Sequence, residues 1–238
     1  MMSEKHKFIF IHIPRTGGNS VQNILREYSE DDIITKHAHQ DGADRFALRN
    51  KKFRRLIKHS TINDYYKALG SDYRKYYLFT TIRNPFDKLV SFYFSPQRGG
   101  VQWDADDFSK FVRRCKPMEY FTSLRTGFMR SKKNIASSFN KIMRFEQLSD
   151  DFSDVMIELG LPKCNLPHRN KSSNQIPYQD FYDEKLRRFV EEKHKYEIEL
   201  GGYEFSAKKM FNPTLRACTR TTTEARQVGT RSALQDIT

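Results

Sequence analysis

The segment KFIFIHIPRTGGNSVQNIL, residues 7–25, constrains the fold of this chain more than any other. An apolar run of strand length, Lys7 to Ile13, stops at Pro-Arg-Thr-Gly-Gly. Val21, Ile24, Leu25 and Tyr28 then recur at helical spacing. Asn19 or Ser20 is the natural N-cap, so the spacing predicts a helix over 20–28. A strand, a glycine turn and a helix start this close together bring backbone N–H groups and the positive end of a helix dipole to one point, which is the chemistry of an anion site. Arg15, Thr16, Asn19 and Ser20 add side-chain donors, and Gly17 and Gly18 let the backbone come near. The spacing is not that of a Walker loop, GxxxxGK[ST], because the cation precedes the glycines and no Lys follows them. ATP or GTP binding by that route is not expected. Taken alone, the segment also fits a plain strand-to-helix turn that uses glycine for its geometry.

A second unit of the same kind follows. Tyr76 to Ile82 reads as a buried strand, and RNPFDKLVSFYF opens with Asn-Pro at a helix start, with Phe86, Leu89, Val90 and Tyr93 on one face. Arg83 then stands at a strand end and Ser91 eight positions later on the helix, so both can reach a second anionic group. Further along, Phe108 to Arg114 is helical and Lys141 to Phe145 is a short strand leading into a helix that ends at Leu159. Phe181 to Leu200 is one long charged amphipathic helix. Residues 31–70 are polar and basic and carry three histidines, His37, His39 and His59. Alternating strands and helices predict a parallel sheet with helices on both faces. From Ser206 onward the chain is Thr/Arg-rich without a period, which predicts a domain over 1–205 and a disordered or foreign tail over 206–238.

A length of 238 residues suits one domain, and 19 Phe with 12 Tyr predict an aromatic core. The net charge of +13 calls for a polyanionic partner: nucleic acid, an acidic membrane surface, an acidic glycan or a phosphate-rich cofactor. Cys115, Cys164 and Cys218 have neither metal-ligand spacing nor an even count, which points to a reducing compartment. No apolar run approaches the roughly 20 residues that span a bilayer. A soluble, cytoplasmic chain is the expectation.

FIHIPRTGGNS followed by IRNPFDKLVSFY resembles the pair of cofactor loops of the sulfotransferases, in particular the branch related to carbohydrate sulfotransferases. IMRFEQLSDDF, LPHRNKS and YEIELGGYEF resemble later blocks of that family, so the likeness runs from Phe8 to Phe205. It implies an α/β, P-loop-NTPase-like three-layer sandwich with a central parallel sheet flanked by helices. It further implies that Arg15, Thr16, Gly17, Gly18, Asn19 and Ser20 hold the 5′-phosphosulfate of 3′-phosphoadenosine 5′-phosphosulfate (PAPS), and that Arg83 and Ser91 hold its 3′-phosphate. Adenosine 3′,5′-diphosphate would be the product, no metal is needed, and the acceptor would be a hydroxyl, most naturally of a glycan. Bacterial members similarly carry a Lys-His-Ser/Ala-Thr stretch before the Arg-Asn-Pro strand, matched here by Lys58, His59, Ser60 and Thr61, which makes His59 the candidate general base.

Alternatives stay open at this level. His37 and His39, in KHAHQD, rival His59. Glu146 and His168 resemble family positions near the cofactor or acceptor cleft, and the surplus charge of Lys58 suits an acidic acceptor, but each also reads as an ordinary surface, helix-start or turn residue. Arg15 stands where the family usually has Lys; it can stabilise a leaving group but is a poor proton donor. Asn19 stands where Thr is commoner. A catalytically inactive nucleotide-binding relative and a basic nucleic-acid-binding module are the competing classes, the second without any helix-turn-helix or zinc-finger motif to support it.

Overall fold

The computed structural model describes residues 1–40, 43–124, 139–164, 166 and 176–205. The elements in chain order are β1 (Met2–Ser3), β2 (Phe8–Ile11), α1 (Gly18–Leu25), β3 (Asp31–Gln40), β4 (Ala43–Asn50), α2 (Ile62–Leu69), β5 (Tyr77–Ile82), α3 (Pro85–Tyr93), α4 (Ala105–Arg114), α5 (Met118–Thr122), β6 (Lys141–Arg144), α6 (Leu148–Glu158), α7 (Glu184–Lys193) and α8 (Lys195–Gly201).

Four strands form a sheet in the order β1-β2-β5-β6. β2, β5 and β6 run parallel, whereas β1 is antiparallel to β2 through Met2↔Ile9 and Ser3↔Phe8. The sheet is therefore mixed, not wholly parallel as expected. Two residues carry no periodicity by which such a short edge strand could be read.

Successive strand residues point to opposite faces, and this explains the two-sided core. On one face Phe8, Phe10, Phe79 and Met143 meet Val21 and Leu25 of α1 and Phe152, Val155 and Met156 of α6. On the other, Ile9, Ile11, Leu78 and Ile82 meet Ile62 and Tyr65 of α2 and Met118 and Phe121 of α5. A third cluster is aromatic: Phe86 and Tyr93 of α3 pack on Phe108 of α4 and on Phe181. Trp103 belongs to this cluster, its ring 4.9–6.3 Å from those of Tyr93, Phe94, Phe108 and Phe181.

One further expectation is corrected, and one stretch for which the sequence yields no structural reading takes a definite form. The polar stretch after α1 is a hairpin, β3 with β4, whose Phe46 and Leu48 bury against α1 while Ile33 and Ile34 stay exposed. Its register shifts blur the period-2 pattern that would mark strands. The long C-terminal helix is two helices, α7 and α8, broken at His194. There His194 and Glu197 turn inward to Lys88 of α3, and the ionic contact between Glu197 and Lys88 overrides the continuous helical pattern. Cys115 and Cys164 are free thiols. Among the described residues no helix is long and apolar enough to cross a membrane. The tail over 206–238 lies outside the described residues.

Candidate active site

The loop between β2 and α1 is held by its own residues. Arg15 has φ 67° and Gly17 φ 84°, both left-handed; the second is at home in glycine, and the first is a strained conformation for a residue that carries a Cβ and a long side chain. The Thr16 hydroxyl is buried and donates to the Ile13 carbonyl, while also meeting the Thr81 hydroxyl of β5, so its side chain fastens the turn to the sheet. What Thr16 can offer an anion is its backbone. Gly17, not Asn19 or Ser20, is the N-cap of α1, and no side chain caps the helix. The helix starts earlier than expected because glycine at φ 84° makes the turn that a capping side chain would otherwise stabilise. Asn19 and Ser20, in the first turn, are half-buried, and the uncapped end leaves the dipole to a ligand.

The second unit folds as its sequence predicts. Asn84 accepts from the Phe86 N–H, and Pro85 opens α3. Arg83 is buried; its Nε donates to Asp87 at 2.7 Å and its Nη1 to the Arg15 carbonyl at 3.2 Å. Nη1 also lies 3.3 Å from Ser91 Oγ, to which Arg15 donates through Nη2 at 2.8 Å. Ser91 thus joins two guanidinium groups, one from each unit. The Arg83 guanidinium stacks over the Phe145 ring at 4.1 Å, and a Cβ at Gly17 would press on that ring and on Leu148. The two anion sites read from the sequence are one contiguous basic surface across the ends of β2 and β5.

His59 comes to the same place from a different direction. The turn before α2 is locked by Ser60, whose Oγ accepts from Ile57 N–H at 2.8 Å, and by the capping box of Thr61 with Asp64. This fixes His59 so that its Nδ1 is 2.9 Å from the His12 carbonyl. A carbonyl only accepts, so Nδ1 carries the proton and Nε2 is left with its lone pair. His12 itself is buried at the end of β2, with Nδ1 2.8 Å from Gln22 Oε1 and its ring 4.6 Å from that of His59. A Cβ on Gly18 would overlap the His12 ring, so this glycine is required by close approach.

Burial, then His59 and Lys58, hold His12 well below the usual imidazole range. His59 is pushed down to about 4, first by crowding of protein around the ring, opposed by the His12 carbonyl and aided by Lys58. His59 is nonetheless exposed to solvent, and screening by water makes this shift shallower without changing its direction. Lys58 falls to about 8 through burial and the nearby Arg45; its Nζ donates to the Phe46 carbonyl at 2.9 Å. The group is therefore neutral at both rings and poised to gain from an arriving anion.

The remaining candidates separate. His37 and His39 lie on β3, His37 paired with Arg45 across the hairpin. Exposed Glu146 accepts from Tyr203 at 3.0 Å and from the Asn84 N–H at 3.4 Å, tying the end of β6 to the second unit. His168 lies outside the described residues. His12 is the site residue the sequence reading missed; its only signal there is one polar residue in an otherwise apolar strand run. Among the described residues no group of three His, Cys, Asp or Glu is placed to hold a metal ion.

A parallel β2-β5-β6 core carrying an uncapped helix start, two converging arginines and a neutral histidine defines an anion-handling α/β protein. The profile of the sulfotransferase family matches residues 1–204, and the chain belongs to that family, within which the carbohydrate-sulfotransferase-like branch falls. Sulfuryl transfer from a nucleotide donor to an acceptor is the reaction this membership carries. No curated protein and no solved structure gives a significant match.

Proposed function

We propose that the chain transfers a sulfuryl group from PAPS to a hydroxyl of a carbohydrate, with His59 as general base, on a P-loop-NTPase-like three-layer unit spanning 1–205. The observation that carries this reading is the convergence of Arg15, Arg83 and Ser91 beside the uncapped start of α1. In this reading the first loop holds the phosphosulfate end of the donor through backbone N–H groups, Asn19 and Ser20, and Arg83 with Ser91 holds the 3′-phosphate. Arg83 is already oriented by Asp87, so little side-chain entropy is lost on binding.

The balance of the step is simple. The acceptor oxygen bonds to sulfur as the bond from sulfur to the bridging phosphate oxygen breaks; the electron pair leaves with adenosine 3′,5′-diphosphate and the proton goes to His59 Nε2. His59 suits this because its Nδ1–H is held by the His12 carbonyl, which fixes tautomer and ring orientation. Arg15 stabilises the charge that develops on the leaving oxygen but, unlike a lysine, gives no proton. His37, His39, Lys58, Glu146 and His168 are assigned to the acceptor side. Free thiols at Cys115 and Cys164 agree with a cytoplasmic setting.

The test is binding. Adenosine 3′,5′-diphosphate raises the Tm of the wild-type chain, and Arg83→Ala removes the rise. A wild-type chain indifferent to millimolar nucleotide sinks the proposal.

A further inference from the structure

Between the end of β2, α3, α4 and α5 lies an open-mouthed cavity of about 460 Å³, within the range of roughly 300–1,000 Å³ typical of small-molecule sites. Its wall is apolar, built by Ile13, Pro14, Leu89, Phe92, Phe111 and Phe121. The Cys115 thiol also lines it; burial pushes that thiol up to about 11, so it contributes a neutral group. Among the described residues every other lining residue is a cation, namely Lys88, Arg98, Arg114 and Lys116, and none is acidic.

These cations are not equivalent. Lys88 is matched by Glu197, and Arg98 spends its Nη2 on Asp107 at 2.8 Å. Arg98 Nη1 is buried without a hydrogen-bond partner, and its guanidinium lies over the rings of Tyr93 and Phe111 at 4.4 and 4.7 Å, which holds its charge beside the cavity wall. Arg114 and Lys116 stand exposed at the rim. The combination suits a ligand with an apolar body and an acidic group. The place suits a substrate: Pro14 adjoins Arg15, and Lys88, Leu89 and Phe92 flank Ser91 on α3, so the cavity abuts the contact between the two anion-binding units.

We propose that this cavity binds the apolar, acidic part of the acceptor: an acyl or aryl group bearing a carboxylate or phosphate, free or attached to a sugar. That it is a ligand site stands on the cavity alone; that its ligand is the acceptor rests on the sulfuryl-transfer reading.

Calorimetry on the full chain tests it with decanoate, decyl phosphate, decyl glucuronide and the neutral decyl maltoside, each below its micellar concentration. The acidic probes should bind saturably and at least tenfold tighter than decyl maltoside. Arg114→Glu combined with Lys116→Glu, both on the exposed rim where folding is spared, should weaken the acidic probes at least tenfold and leave decyl maltoside within twofold. Phe92→Ala should weaken all four. Tighter binding of the glucuronide than of decanoate assigns the acid to an attached sugar, and the reverse to a free acid. Equal affinity for acidic and neutral probes, no binding of the acidic ones, or indifference to the charge reversal overturns the assignment. Decanoate binding without adenosine 3′,5′-diphosphate binding would remove the transferase reading and leave the cavity assignment standing. Nucleotide binding without binding of the acidic probes would do the opposite.

Discussion

His12 and His59 face each other as neutral rings in a basic setting, and this pair sets how the site responds to pH. A base that must be unprotonated works at any pH above its own pKa. With His59 held down to about 4 in the free protein, the acid limb of kcat/KM should lie well below the ordinary imidazole value of about 6.5. Bound anionic donor favours the imidazolium, so the acid limb of kcat should sit at higher pH than that of kcat/KM; coincident limbs near 6.5 would remove His59 from this part. Stability follows the same sign. His12 has its folded pKa below the unfolded one, so the unfolded chain binds more protons as pH falls. The stability it contributes is complete above about 6.5 and should be lost below that at up to about 1.4 kcal/mol per pH unit. His59 and His194 are lowered too and add slopes of the same sign, so denaturant titrations from pH 7 to 5 should show a combined slope that His12→Gln makes shallower without removing. None of this pairing is visible in the sequence, where residues 12 and 59 stand in unrelated contexts and only the fold brings the two rings within 4.6 Å.

The strand-loop-helix elements themselves were legible because apolar periodicity and Asn-Pro chemistry are local. Their detail was not. The cap of α1 moved to Gly17 because a left-handed glycine needs no side-chain oxygen to end the turn. Gly18 is fixed by a contact with His12 that no local pattern encodes. Gly18→Ala should cost about 1–3 kcal/mol by overpacking, roughly 2–12 °C in Tm for a chain of this size, and should weaken nucleotide binding by displacing His12. Thermal melts with and without adenosine 3′,5′-diphosphate check both effects. The break between α7 and α8 has a similar long-range cause. Glu197 is buried between Lys88 and His194, and its carboxyl is held below the usual range chiefly by the Lys88 ammonium against the cost of burial. Glu197→Gln should destabilise by about 3–5 kcal/mol by leaving Lys88 uncompensated, while Lys88→Met with Glu197→Leu should recover most of that in a double-mutant comparison of denaturant midpoints.

At the scale of the whole molecule, the alternation of strands and helices foretold a sheet covered on both faces. Among the strands, the short antiparallel edge and the β3-β4 hairpin escaped, one too short and the other too irregular for a period of two; α2 and α5 also went unread. The charge of +13 asked for a polyanion, and the fold gathers Arg15, Arg83, Lys58 and the start of α1 at the ends of the parallel strands. A nucleic-acid surface would need its cations spread over a face, whereas Arg15 and Arg83 meet at Ser91 and Lys58 stands next to His59. The most direct measurement is transfer itself: labelled sulfate from PAPS to a mixture of carbohydrate acceptors, with wild-type and His59→Ala chains, alongside their affinities for adenosine 3′,5′-diphosphate. The account predicts labelled product from wild type, a fall of about 10²–10⁴ in kcat for His59→Ala, and nucleotide affinity within a few fold in both. Undiminished transfer by His59→Ala, or nucleotide bound by wild type with no transfer to any acceptor, would contradict it.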